Sequence, residues 1–502
     1  MLTRGHRWAR PEVPGAAADG GQALLFVLIA LALLMSIPIA IATTTVDQLP
    51  ETTRNLNWDA AYEAAQAGLN DYMQHVDANA NYTSYTQKAP DSSNPAFTSW
   101  VQASTTPPEY YAYSPTIEAG GQLSLAVSGK AGSGPTSVIR TFDYTVRPVS
   151  SLDYIYWTNY ETIDPAIDNA VSNCNYYYDQ TWSGGTGPPS NCLIEFITGD
   201  VLNGPVFSDD TFRICGSPTF DSQVESGNIY APSNVIDVNS GCGDAFSPNF
   251  NGLTPTKVGD QTPPVTLADV TPAQDYGCYY SGNATIALTS PSSGNTNITV
   301  SGSGLTVTKA SGNTNSCPVG SSFSLSSMTS GLIYVNGQVT VSGTMSGALD
   351  IVSASNILVS GNLEYPQANI NTTSGTDSVD TLGLIANNSV EVEDVNNMTI
   401  DAAILAVNDS FYVQNWASTS NLGTLTVFGS IAQNFRGPVG TGSGGGSSTG
   451  YTKAYQYDSS LKTLWPPYFL PPGGAVWNPS TYSEFCPGLT YSVLGTKTPG
   501  GC

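Results

Sequence analysis

The sequence predicts an α+β protein that is mostly β. A long N-terminal transmembrane and amphipathic helix is followed by a small antiparallel sheet and a right-handed parallel β-helix-like ectodomain. An antiparallel β-sandwich is the alternative for the same strands. Three observations predict this. Residues 23–42 are an uncharged apolar run. Strand–bend–strand segments recur between 331 and 437 at a spacing of about 20 residues, as in stacked repeats. Only 11% of the 502 residues are charged, and 50 Gly and 33 Pro supply the backbone angles that turns demand. The expected divisions are a leader over 1–21, the helix over 22–76, a small β region over 78–150, stacked coils over 151–437 with a disulfide-bearing insertion at about 217–327, and a Gly-rich loop with an aromatic and Pro-rich cap over 438–502.

The N-terminal part is argued from hydropathy. Arg4, Arg7 and Arg10 precede the apolar run, and Ser36 is its single polar side chain. Twenty such residues as a helix span about 30 Å, enough for a hydrocarbon core. The arginine bias places the N-terminus in the cytoplasm and the rest outside. The sequence therefore predicts a single-pass cytoplasmic membrane protein with an exported ectodomain. The helical pattern then resumes: Ala61, Ala64, Ala65, Leu69, Tyr72, Met73 and Val76 recur at spacings of three and four. Pro38 and Pro50 would bend a continuous helix.

Residues 78–150 contain strand candidates at Tyr110–Tyr113, Leu123–Ser128 and Val138–Val146, expected to cover the apolar face of the helix. Farther on, the segments beginning at Gly331, Ala348, Leu382 and Ala403 align on their bends, Asn336-Gly337, Ala354-Ser355, Asn387-Asn388 and Asn408-Asp409. Val339, Ile357, Val390 and Phe411 then share one column, and Val341, Val359, Val392 and Val413 a second. One copy cannot bury its apolar side alone, so the copies must stack. Residues 204–216 read as an earlier coil. Gly440–Gly450 reads as a flexible loop, and the Trp465–Pro472 stretch as a cover for the open end of the stack.

Charge and cysteines bound the function. A formal net charge of −24 opposes phosphate backbones, so no nucleic-acid partner is expected. Eight cysteines, all beyond the apolar run, imply disulfides in an exported chain. Sequence order suggests Cys174–Cys192, Cys215–Cys242, Cys278–Cys317 and Cys486–Cys502 among the many connectivities that eight cysteines allow. No Cys-x-x-Cys occurs and only His6 and His75 exist, which gives no zinc site, no Ser-His-Asp or Cys-His arrangement, and no expected cofactor. The chain is not expected to be an enzyme. The carboxylates Asp209 and Asp210, Glu391 with Glu393 and Asp394, and Asp401 are the residues a polysaccharide-active enzyme would use.

The N-terminal residues resemble a family. A basic leader ending in Gly, an apolar helix and an amphipathic continuation are the arrangement of type IV pilins and of type II secretion pseudopilins. Ala64-Ala65-Gln66-Ala67-Gly68-Leu69 looks like the signature of PilX-type minor pilins and K-type pseudopilins, with Gln66 in place of the usual Glu. The resemblance implies cleavage by a prepilin peptidase between Gly21 and Gln22. It also implies packing of the helix against other pilin-like subunits, and a place at the cell surface or in a pilus after assembly. Phe26 stands where major pilins carry Glu, which fits a minor subunit. The function implied is a minor pilin-like subunit of a type IV filament system displaying a large ectodomain for adhesion or pilus assembly, with a surface or glycan ligand as a further partner. The rivals are a non-polymerising membrane-anchored adhesin or scaffold and, third, a polysaccharide-active enzyme.

Overall fold

The computed structural model describes most of the chain from residue 52 to residue 484, together with 28–29. Residues 1–27, 30–51, 259–276 and 485–502 lie outside the described residues, as do shorter stretches such as 118–122, 229–234, 367–377, 443–446 and 470–476. The leader, the Gly21–Gln22 junction and nearly all of the expected apolar span fall there, as do Cys242, Cys486 and Cys502.

The one long helix among the described residues covers 52–78. It lies against a five-stranded antiparallel sheet of Val101–Thr105, Pro108–Ile117, Leu123–Ala131, Val138–Pro148 and Trp477–Glu484, in that order. Ala65, Leu69, Tyr72 and Val76 form one core with Tyr113, Leu125, Val127 and Phe142. Small residues set the approach. A Cβ on Gly129 would lie 2.5 Å from the Ala65 amide nitrogen, and one on Gly68 would lie 2.9 Å from the Tyr111 Cβ. The Ala/Gly-rich run thus lets helix and sheet backbones come together where a larger side chain would hold them apart. Arg140 fastens three elements. It stacks 4.7 Å from the Trp58 ring of the helix and donates to both carboxylate oxygens of Glu484 on the last strand, at 2.6 and 2.7 Å.

The expected fold class and localisation are corrected here. No long N-terminal transmembrane helix is described, and among the described residues no helix is long and apolar enough to cross a membrane. The helix over 52–78 carries Arg54, Asp59, Glu63 and Asp71, and its apolar stripe is spent on the sheet. Nor are the remaining strands a purely parallel winding. All but four of them join in a 22-stranded sheet of mixed pairing, with antiparallel strands at Thr306–Thr308, Asn297–Ser301 and Ser322–Ser324; Phe212–Ile214 with Ile236–Val238, and Thr181–Trp182 with Gly185–Thr186, form two-stranded sheets of their own.

Within that sheet, strands stack parallel along three rails. One runs Cys278–Ser281, Leu332–Asn336, Ala348–Ser353, Thr381–Ala386, Met398–Ala406, Asn421–Arg436, Tyr156–Ile163, Val206–Ser208, Val224–Ser226 and Thr256–Lys257. The second places Val339, Ile357, Val390 and Phe411 in register, with Val341, Val359, Val392 and Val413 beside them. These columns are fully or almost fully buried, and each such side chain contributes about 1.5–3 kcal/mol of burial. The third passes from Asn421–Arg436 through Ser447–Tyr457 to Val201–Asn203 and Thr219–Phe220.

The spatial order is not the sequence order. The chain enters at Tyr156–Ile163, builds outward to Thr256–Lys257, reappears at the far end as Cys278–Ser281, and returns coil by coil until Asn421–Arg436 docks beside Tyr156–Ile163. The ladder therefore has an internal seam where its first-made and last-made coils meet. Residues 217–327, expected as an insertion, contribute rungs of the ladder. Part of the expected flexible loop is strand, Gly440–Gly442 paired with Ser447–Tyr457. The Trp465–Phe469 segment packs along the outer face of the ladder on Leu332, Val352 and Ile385, instead of closing an end. The described disulfides join Cys174 to Cys192 and Cys278 to Cys317, and Cys215 is also disulfide-bonded.

Candidate functional site

The seam gathers charge in the interior. Glu161 lies near the end of the strand Tyr156–Ile163, and Arg436 closes the strand Asn421–Arg436. Arg436 Nη1 donates to Glu161 Oε2 at 2.9 Å, and both side chains are almost wholly buried. The Glu161 carboxylate also accepts from Thr158 and, at 3.1 Å, from the Tyr156 hydroxyl. The Arg436 guanidinium lies 3.6 Å from the centre of the Phe196 ring, and its Nη2 has no hydrogen-bond partner. Beside it, Lys453 Nζ donates to Asp200 Oδ2 at 2.7 Å, again across the seam. Burial lowers the Lys453 ammonium below the usual lysine range, with the Asp200 carboxylate opposing that shift. Both ion pairs thus join the same two half-ladders.

The acidic residues singled out in the sequence fall in three places. Asp209 and Asp210 are buried at the seam. The Asp210 carboxylate accepts from the amides of Glu161, Tyr178 and Thr211 at 3.1, 2.9 and 2.7 Å, and burial raises it well above the usual carboxylate range. These two are not paired across an open cleft. Glu391 accepts from the amides of Asn356 and Gln414, at 2.5 and 2.7 Å, on the second rail. Asp394 accepts from Asn415 at 3.3 Å, and Glu393 lies beside it in the bend. Asp401 accepts from the Tyr365 amide at 2.8 Å, and burial pushes it up to about 7. No group of three His, Cys, Asp or Glu among the described residues could hold a metal ion.

Sequence reasoning missed Glu161, Arg436, Asp200 and Lys453. One signal was available: Lys453 sits at an inward position of the alternating run Tyr451, Lys453, Tyr455, Tyr457, a cation where only apolar side chains fit unpaired.

Asp350 makes a second buried site. It accepts from the Tyr468 amide and so anchors the segment lying on the ladder face. Its Oδ1 has no hydrogen-bond partner, and burial pushes the carboxyl up to about 7 from 3.8. A raised value means the folded state holds this proton more tightly than the unfolded chain. Its stabilising share is complete below pH 3.8 and is lost as pH rises through about 7. Asp350→Asn should therefore raise the unfolding midpoint relative to the parent at pH 8 and keep only a minor part of that advantage at pH 5. Thermal unfolding at the two pH values checks this.

Two clefts meet at Trp416. One, of about 190 Å³, is bounded by Ile194, Thr441, Ser447 and Lys453 on the seam side. The other, of about 680 Å³, is lined by Tyr412, Gln414, Asn415 and Ser418. Trp416 is half-buried, packs on Ile163 and the Cys174–Cys192 disulfide, and borders both.

No protein-family model matches the chain, and no curated protein matches it. Among solved structures, the competence-associated pilin ComZ from Thermus thermophilus is similar over 85% of this chain and 97% of that one, at 13% identity and a TM-score of 0.26.

Proposed function

We propose that the chain is a minor pilin-like subunit of a type IV filament system, in which the helix and five-stranded sheet form the assembling part and the ladder is displayed for adhesion. The observation that carries this reading is the return of the chain. Trp477–Glu484 pairs with Val138–Pro148, so everything from Tyr156 to Tyr457 is an insertion between two neighbouring strands of the helix-bearing sheet. A large β unit carried on a small helix-and-sheet unit suits a subunit that presents cargo. The Ala64–Leu69 run supports the reading as well, since its small residues are the ones that bring helix and sheet together. Other pilin-like subunits and a prepilin peptidase are the partners this reading requires.

The test is the N-terminus of the protein isolated from its native cells. A chain beginning at Gln22 is expected. Retention of residues 1–21 overturns the filament subunit in favour of a surface protein that does not polymerise.

A further inference from the structure

We propose that the cleft beside Trp416 binds a neutral oligosaccharide. Four features of the cleft lead to this ligand class. First, the platform is rigid. Asn415 adopts a left-handed φ of 54°, and its carbonyl accepts from the Ser418 and Thr419 amides at 2.9 and 3.1 Å. The Trp416 carbonyl accepts from the Thr449 hydroxyl at 2.7 Å. Second, the indole packs on Ile163 and the Cys174–Cys192 disulfide while bordering both clefts. The weakly positive C–H face of a pyranose is complementary to the negative face of such a ring.

Third, the larger cleft is lined by Gln414, Asn415, Ser418 and Tyr412, with no charged side chain among the described residues that line it. Gln414 is fixed by its hydrogen bond to Glu391, and Asn415 by one to Asp394. Fixed amides and hydroxyls around an aromatic surface match the donors and acceptors of sugar hydroxyls. Fourth, the chain's net charge of −24 disfavours a polyanionic glycan, and the described residues lining the larger cleft give a cationic ligand no carboxylate to pair with. The larger cleft alone gives room for a sugar, 680 Å³ being within the range of small-ligand sites of about 300–1,000 Å³, whereas Glu195 and Lys453 line the smaller one, which is not part of the proposed site.

As the ligand of the displayed ladder, such a glycan rests on the filament reading above. Its binding is measured independently of the mature N-terminus, so either result can fail alone. The full chain is titrated with maltohexaose, cellohexaose, hexa-N-acetylchitohexaose and mannohexaose. Polygalacturonate and tetramethylammonium serve as charged probes, and binding is followed by tryptophan fluorescence and calorimetry. At least one neutral hexasaccharide is expected to bind, with at least tenfold weakening in Trp416→Ala. Because Trp416 also packs on the disulfide, Ala417→Arg at an exposed position serves as a second variant. It should obstruct the cleft and weaken binding equally while leaving the unfolding midpoint in place. Absence of binding by all four neutral sugars overturns the proposal. Binding that survives Ala417→Arg, or tighter binding of either charged probe, overturns it too.

Discussion

Glu161→Gln should destabilise the ladder by about 3–5 kcal/mol, the usual cost of leaving one partner of a buried ion pair uncompensated. Arg436 would keep its charge in the interior, with Nη1 losing its carboxylate and Nη2 already lacking a partner. The Phe196 ring face offers the cation attraction worth only about 2 kcal/mol when desolvated, so it cannot replace the carboxylate. The expected readout is a fall of several degrees in the unfolding midpoint. Loss should begin at the seam, seen as earlier hydrogen exchange in Tyr156–Ile163 and Asn421–Arg436 than in Ala348–Ser353. The double variant Glu161→Gln with Arg436→Met should recover part of the loss, because it removes the stranded charge. A midpoint unchanged by Glu161→Gln would show that the ion pair does not hold the two half-ladders together.

Gly129→Val should separate the helix over 52–78 from its sheet. A side chain there meets the Ala61 carbonyl and the Ala65 amide, which are helix backbone and cannot rotate aside. Overpacking of this kind costs about 1–3 kcal/mol, and the rigid obstacle favours the upper end. Limited proteolysis gives the clearest measurement. Cleavage within 52–78 should accelerate strongly in Gly129→Val, while the ladder remains resistant. Gly361→Ala, whose added Cβ would meet only the Ser342 Cβ at 3.4 Å, is the matched control. Equal cleavage in both variants would show that close approach at Gly129 is not what docks the helix.

Local features were the readable ones. The spacing of Ala61, Ala65, Leu69, Tyr72 and Val76 reports a helix face because three- and four-residue intervals fix it within the segment itself. The Val339, Ile357, Val390, Phe411 column reports register because neighbouring coils share one bend chemistry. What could not be read depends on partners far away in sequence. Glu161 and Arg436 are 275 positions apart, so nothing near either residue announces the ion pair. Asp209-Asp210 reads as a solvated turn, and becomes interior only because Tyr178 and Glu161 close over it. The Trp477–Glu484 strand carries Pro479, which counts against a strand, yet it is tolerated on the outer strand of the five-stranded sheet. The Trp416 platform looks from sequence like one more bend residue. Its role emerges only when Ile163 and a disulfide pack on it.

The seam also fixes where the inserted unit is tethered. Tyr457 leaves the ladder with its hydroxyl on the Leu152 carbonyl, and Ser430 donates to the carbonyls of Ser151 and Tyr154, so the entrance and the exit of the insertion touch. Both lie partway along the parallel stack, which among the described residues runs from Cys278–Ser281, itself covered by the antiparallel strand Thr306–Thr308, to Thr256–Lys257. Extra coils gained by duplication away from the seam, inside that antiparallel cover, would lengthen the stack without disturbing the junction, and the tether would remain as it is. Such a cassette can change its reach over generations while the part that holds it stays the same.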